Sequence, residues 1–307
     1  MSMPHKLQPC CATMALSTPS HTANSVAINY DGTVCVVGAP TYNSGAGYAA
    51  VYDSGTGAVV NVLAGAGNQF GFTVSMSEDG GKVLVGTPGV GGSGGYATVF
   101  SGAGYATTAS LAGTGGSYYG HTVSLSGDGT KAFVSAPNDG DGVVRAFSSS
   151  GTFLNTITRA SGTYGYFGFS VSTNSTGTRV AIGAPTANNN TGFVGVYSSA
   201  GALISRPTNV VGSYSQFGFT VALSGNGLSV MVGTPFGNVN VLRSGYAALF
   251  NAGTGTLVKQ IEQTTFSFFG VSGGVSYDGS YGIVGGAGPS NTPFVIGGSV
   301  LVFNTNQ

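Results

Sequence analysis

The sequence predicts an all-β protein, a β-propeller of six four-stranded blades of about 49 residues each, closed by its N-terminal strand. Three observations predict it: a composition hostile to helices, a repeat carrying two phased markers, and strand-and-turn patterning within each repeat. Of 307 residues 55 are Gly, and after Gly32 the longest run without Gly is the 14 residues 256–269. Gly inside a helix costs about 1 kcal/mol relative to Ala, so a helical fold is excluded at that density. With 41% hydrophobic residues the chain still has the material for a core.

The first marker is an apolar run ending in Pro. CVVGAP ends at Pro40, VLVGTP at Pro88, FVSAP at Pro137, VAIGAP at Pro185 and VMVGTP at Pro235, with a degenerate GIVGGA ending at Ala287. The intervals are 48, 49, 48, 50 and 52 residues. The second marker is an aromatic followed by Gly: Phe70-Gly71, Tyr119-Gly120, Phe167-Gly168, Phe217-Gly218 and Phe269-Gly270. Together they set repeats at about 22–69, 70–118, 119–166, 167–216, 217–268 and 269–307, preceded by residues 1–21.

Within a repeat, short β-rich runs such as FGFTVSMS, KVLVGTP, GGYATVFSG and TTASLAG are bounded by turn residues. Tight Asp-Gly or Asn-Gly pairs join the first two runs, at Asp31-Gly32, Asp79-Gly80, Asp128-Gly129, Asn226-Gly227 and Asp278-Gly279. They supply the positive φ values that such hairpin turns require. The Pro that follows ends the second strand because it cannot donate to a ladder.

The last repeat stops at VLVFNTNQ, a third strand, and so lacks a fourth. Leu16 lies seven residues before Ala23, the position that matches Phe70, as Leu63 lies seven before Phe70. Residues 12–18 are therefore expected to form the outer strand of the sixth blade. The apolar CCATMAL is shorter than the hydrophobic stretch of a secretory signal and is assigned to that strand, so no signal peptide is evident in this numbering.

The paired markers resemble the FG-GAP repeat family, whose best known members form the propeller of integrin α subunits. Phe167-Gly168 with Gly183-Ala184-Pro185 carries the resemblance most fully, and the match spans about residues 22–303. It implies a propeller scaffold, which by itself names no activity. Many integrin-type repeats hold calcium in an Asp-rich loop between the first two strands. The matching turns here, NYDGT, SEDGGK, SGDGTK, NSTGTR, SGNGLS and SYDGSY, offer too few oxygen ligands, so the resemblance implies the fold without the metal or any other cofactor.

Nine acidic and nine basic residues cancel, which removes the basic footprint of a nucleic-acid or anionic-membrane binder, and no apolar stretch is long enough for a membrane-spanning helix. Attention falls on one face of the ring. Loops between second and third strands share it with the links between blades, whereas the opposite face carries the tight turns. The links gather Tyr118, Tyr164, Tyr166, Tyr214, Phe266 and Phe268, which are the candidate ligand-binding residues. The competing reading packs these rings between blades, as is expected of the anchor aromatics themselves.

Other chemistry-bearing residues read as structural. Asp139-Gly140-Asp141 and Glu78-Asp79 are close carboxylate pairs in turns, His121 stands where other repeats have Phe72, Phe169 or Phe219, and Cys35 falls in a second strand. Cys10, Cys11 and Cys35 have no metal-ligand spacing, and no nucleophile sits in a recognisable motif. Asn174-Ser175-Thr176 and Asn189-Asn190-Thr191 are glycosylation sequons if the chain is exported. The expected function is non-enzymatic recognition or adhesion toward a protein or glycan. The alternative is a structural subunit of a larger particle, such as a virion surface or extracellular coat, which the 6% charge content favours. Both place the protein outside a cell or on a particle surface.

Overall fold

Neighbouring blades meet where two glycines let their backbones touch. In the computed structural model, which describes residues 23–305 apart from 66, 90–93, 114–117, 160–164, 211, 213, 238–243, 263–267 and 288–297, the repeats form successive antiparallel sheets of a six-bladed propeller. Blade 1 comprises β1 (Ser25–Ile28), β2 (Val34–Gly38), β3 (Ala49–Asp53) and β4 (Val59–Val62). Blade 2 comprises β5 (Thr73–Met76), β6 (Lys82–Thr87), β7 (Tyr96–Ser101) and β8 (Ala106–Ala112). Blade 3 comprises β9 (Val123–Leu125), β10 (Lys131–Ala136), β11 (Val143–Ser148) and β12 (Phe153–Thr158). Blade 4 comprises β13 (Ser170–Thr173), β14 (Arg179–Ala184), β15 (Phe193–Ser198) and β16 (Leu203–Ser205). Blade 5 comprises β17 (Thr220–Leu223), β18 (Ser229–Thr234), β19 (Tyr246–Asn251) and β20 (Leu257–Glu262). Blade 6 has three described strands, β21 (Phe269–Val275), β22 (Tyr281–Gly286) and β23 (Ser299–Asn304).

The second strands of blades 1 to 5 are buried on both faces, as Val83, Leu84 and Val85 are, because each lies between two neighbouring blades. Their near-continuous apolar runs follow from that position. First strands alternate instead: Val74 and Met76 pack on the preceding blade, while Ser75 Oγ accepts the Leu125 N–H of the next blade at 3.0 Å. Ser124 does the same for Thr173 N–H and Ser172 for Leu223 N–H. Inner-strand edges, which would otherwise be unpaired, are thus stitched around the axis at about 1 kcal/mol per bond.

The two sequence markers acquire a physical role. The anchor aromatics Phe70, Tyr119, Phe167, Phe217 and Phe269 are fully buried. Each is followed by Gly in a left-handed conformation, and a Cβ on Gly183 of the Gly-Ala-Pro run would collide with the Gly218 carbonyl. Gly38, Gly86 and Gly233 face the carbonyls of Gly71, Gly120 and Gly270 in the same way. Pairing the anchor's Phe217 backbone with Gly192 of the preceding blade completes the contact.

The sixth seam differs. Val26 and Ile28 of β1 are 67% and 58% exposed, whereas their counterparts Val74 and Met76 are 7% and 8% exposed. Across from them Ile283, Val300 and Val302 of blade 6 are also exposed, and Tyr30 meets Tyr277 edge-on at 6.2 Å. Register explains the difference and corrects the expected alignment by one residue. Ser25 pairs with Gly38 as Thr73 pairs with Gly86, so Ala23 matches Gly71 and Thr22 matches Phe70. Blade 1 therefore brings no aromatic anchor to this seam, and blade 6 brings GIVGGA in place of Gly-Ala-Pro. The expected closing strand, residues 12–18, lies outside the described residues.

Two outcomes test this account. Gly183→Ala should lower the melting temperature by several degrees, since overpacking of this kind costs about 1–3 kcal/mol, while Gly104→Ala, whose Cβ would meet open space, should leave it unchanged. Deleting residues 1–20 should lower the melting temperature and promote aggregation by leaving the β23 edge and the apolar seam uncovered. A truncated chain that stays monodisperse with an unaltered melting curve would refute closure by the N-terminal strand.

Candidate functional site

At both ends of the propeller axis, described residues of successive blades meet through side chains and backbone. On the tight-turn face the six equivalent positions are Tyr30, Glu78, Gly127, Ser175, Gly225 and Tyr277. Hydrogen bonds run around them from Tyr30 N–H to Glu78 O, from Glu78 N–H to Gly127 O, from Asp128 N–H to Ser175 O, from Ser175 N–H to Gly225 O and from Asn226 N–H to Tyr277 O, each 2.8–2.9 Å. Ser175 Oγ donates to Glu78 Oε1 at 2.6 Å, and Gly127 and Gly225 leave the space that the Glu78 carboxylate and the Tyr277 ring fill. Glu78 is therefore a contact between blades as well as a turn residue. An open depression of about 510 Å³ is lined here by Tyr30, Glu78, Asp79 and Tyr277.

On the loop face these contacts are aromatic. His121 lies between Phe72 and Phe169 at 5.2 and 5.3 Å, Phe169 meets Phe219 at 5.0 Å, and Phe236 joins Phe219 to Phe268. Burial among these rings pushes the His121 pKa down to about 4, so the imidazole is neutral near pH 7. Its Nδ1 lies 3.1 Å from Thr122 Oγ1. The expected packed ring is what the structure contains.

The six candidate aromatics separate by position. Tyr118 and Tyr214 are 48% and 68% exposed, Tyr166 is half-buried, and Phe268 is half-buried against Phe236. Tyr164 and Phe266 lie outside the described residues. Tyr118, Tyr166 and Phe268 each precede an anchor aromatic and hold φ of 53, 53 and 44°, and Gln69 and Gln216 repeat the geometry at 68 and 55°. Bulky residues rarely occupy this left-handed region, which costs them roughly 1–2 kcal/mol each. The turn into each blade requires it: His121 N–H bonds back to Tyr118 O, and Phe169 N–H to Tyr166 O. The side chains are thereby held on the loop face by backbone geometry.

The same face contains a cavity of about 390 Å³ between blades 4 and 5, whose lining includes Asn188, Phe193, Arg206, Thr208, Asn209 and Phe217. Asn188 and Asn189 are both left-handed within the short helical turn Ala187–Asn190, a geometry repeated by Asn43 and Ser44 in Tyr42–Gly45 of blade 1. Asn209 forms the fixed wall: its Nδ2 donates to Thr191 O and Ser215 Oγ, and its Oδ1 accepts the Tyr246 hydroxyl. The guanidinium carbon of Arg206 stands 5.0 Å from the Phe193 ring centre, and that of Arg159 stands 5.5 Å from it. Sequence reasoning passed over both arginines. Their one signal is that two of nine basic residues fall at ends of fourth strands, 47 positions apart.

Most other charges are structural. Lys82, Lys131 and Arg179, at one register position in three blades, donate to Gly129 O, Gly177 O and Gly227 O of the next blade. Asp31, Asp79, Asp128 and Asp278 accept bonds from their own turns; Ser276 and Ser280 hold the Asp278 pKa down to about 2. Asp139 pairs with Arg145 at 3.3 Å. Cys35 is buried, and among the described residues no three His, Cys, Asp or Glu side chains cluster as metal ligands. The two sequons also separate: Asn174 is buried and accepts the Thr178 and Arg179 N–H groups, whereas Asn189 is exposed.

These features define a class: a six-bladed propeller with a half-open cavity and exposed tyrosines on its loop face and an open depression on its turn face. No protein-family model matches the chain, and no curated protein matches it. Among solved structures it is similar to Kuenenia stuttgartiensis hydrazine synthase, at 14% identity and a TM-score of 0.60, covering 91% of this chain and 83% of that one. Likeness at this identity shows the fold alone, and the architecture hosts many unrelated functions.

The depressed His121 pKa yields a pH test. The unfolded chain, with an ordinary His pKa near 6.5, binds this proton before the native state does, so its stability contribution is complete above about pH 6.5 and is lost as pH falls toward 4. The loss should approach about 3 kcal/mol at pH 4. Urea unfolding of wild type and His121→Phe at pH 7 and pH 4.5 should show a smaller acid loss in the variant.

Proposed function

We propose that this protein is a non-enzymatic recognition module that binds a glycan or protein through its loop face. The observation that carries the reading is the half-open cavity between blades 4 and 5, together with exposed Tyr118 and Tyr214 on that same face. Rigid scaffolds present binding residues on such loops, and left-handed geometry holds these tyrosines out from the fold at a cost that packing does not recover. Membership of the FG-GAP repeat family is part of the proposal, supported by the inter-blade contact that gives both motif glycines a role.

A second reading, lateral packing in a larger assembly, has its own support. Val59-Val60, Phe153-Leu154, Leu203-Ile204 and Leu257-Val258 occupy equivalent places on four outer strands, and all eight side chains are exposed. Exposed apolar edge strands favour association. The corresponding residues of blade 2, Thr107 and Thr108, are polar.

Two variants separate the readings. Tyr118→Ser combined with Tyr214→Ser should abolish binding on a glycan array and in protein capture, with the melting temperature changed by less than about 2 degrees. Replacing Val60, Leu154, Ile204 and Val258 by Thr should leave that binding intact. If the outer-strand variant instead dissociates a native assembly while the tyrosine variant binds as wild type does, recognition by the loop face is wrong.

A further inference from the structure

We infer that the cavity between blades 4 and 5 binds the carboxylate of an acidic sugar, with Arg206 as the anion's partner. The inference rests on the loop-face reading and assigns it a ligand class. It begins from the charges. Among the described cations, Lys82, Lys131, Arg179 and Lys259 each donate to a backbone carbonyl, and Arg145 pairs with Asp139. Arg206 makes no hydrogen bond or ion pair to a described residue; it is exposed at the cavity, with its guanidinium over Phe193.

Arg206 is the one charged residue in the lining of this cavity, which holds no acidic residue. Arg159 approaches the same Phe193 ring from outside the lining, and both guanidiniums act on the buried Tyr197 phenol. In a chain of zero net charge this is a local positive site.

The backbone presenting Arg206 is fixed on both sides. Ser205 Oγ donates to Ala252 O at 2.7 Å, and Pro207, buried, restricts the residue before it. The Arg206 guanidinium carbon lies 5.0 Å from the Phe193 ring centre, and a guanidinium offers a planar fork of N–H groups that can take a carboxylate through two parallel bonds. Cavity volume sets the size: about 390 Å³ lies near the low end of the roughly 300–1,000 Å³ range of small-ligand sites, suited to a monosaccharide unit rather than a chain. Asn188 and Thr208, both exposed on the lining, supply an amide and a hydroxyl for sugar hydroxyls, while Phe193 and Phe217 provide an apolar floor. Asn209 is occupied within the wall and serves to shape it.

The test uses the full chain and two defined probes, methyl β-D-glucuronide and its neutral counterpart methyl β-D-glucoside, followed by saturation-transfer NMR and isothermal titration. The glucuronide should bind at least tenfold more tightly than the glucoside, and the difference should shrink with added salt. Arg206→Gln should remove it without altering the melting temperature, and Arg206→Lys should restore it only in part. Equal binding of both probes, binding of neither, or an Arg206→Gln protein that still discriminates would overturn the inference. Failure here with array binding still lost in the Tyr118 and Tyr214 double variant leaves the loop-face reading standing. Retained array binding in that double variant and in Arg206→Gln alike means the loop-face reading itself has failed.

Discussion

Backbone contact between blades is the constraint on which the rest of this structure depends. Gly183 against the carbonyl of Gly218, repeated by Gly38, Gly86 and Gly233 at three other seams, brings one second strand within backbone distance of the next blade's entry turn. That proximity seats the anchor aromatic in the gap and places inner-strand Ser hydroxyls within reach of the neighbouring N–H groups. Between blades 3 and 4 Ser135 stands at this position, buried, with its Cβ close to Gly168, and the Thr173 N–H bond to Ser124 Oγ is kept; where the position is Gly, the backbones come too close for a Cβ. The seam between blades 6 and 1 shows the converse. There Thr22-Ala23 replaces the aromatic-Gly pair and Ala287 replaces the Pro, a Cβ on the equivalent Gly285 would meet only Ser272 of its own blade, and apolar residues that are buried elsewhere are exposed.

The low charge content has a related cause. Acidic residues are largely held in hairpin turns by their own Ser and Thr neighbours, and the cations at the start of second strands reach across to the next blade's turn. One blade thereby clips its turn to the next at a fixed register. Charges with such roles are not available as solvating surface, which leaves the loops polar but nearly uncharged. Against that background Arg206 and Arg159 stand out as cations gathered on one aromatic ring.

Around the axis, hydrogen-bonded turns at one end and ring contacts at the other tie successive blades together. The turn face keeps an open depression beside exposed Tyr30 and Tyr277. The loop face pairs a cavity with exposed tyrosines; the outer strands carry paired aliphatic residues.

By itself the sequence determined the repeat, the blade count, the hairpin turns and the burial of the anchor aromatics. These are set by residues whose role is local or concerns backbone space: Gly at positive φ, Asp-Gly in a turn, Pro after a strand, Gly where two chains touch. Such requirements recur at every repeat and are therefore visible as a period. Tertiary structure alone decided that Tyr214 is exposed while Phe268 packs against Phe236, that Glu78 reaches Ser175 two blades away, and that Arg159 and Arg206 share Phe193. The alignment at the first blade, one residue out when read from the chain, was also settled by pairing. Each of these depends on which departures from the repeat face one another across tens of residues. A period specifies where equivalent positions lie, and only the folded ring specifies which of their side chains meet.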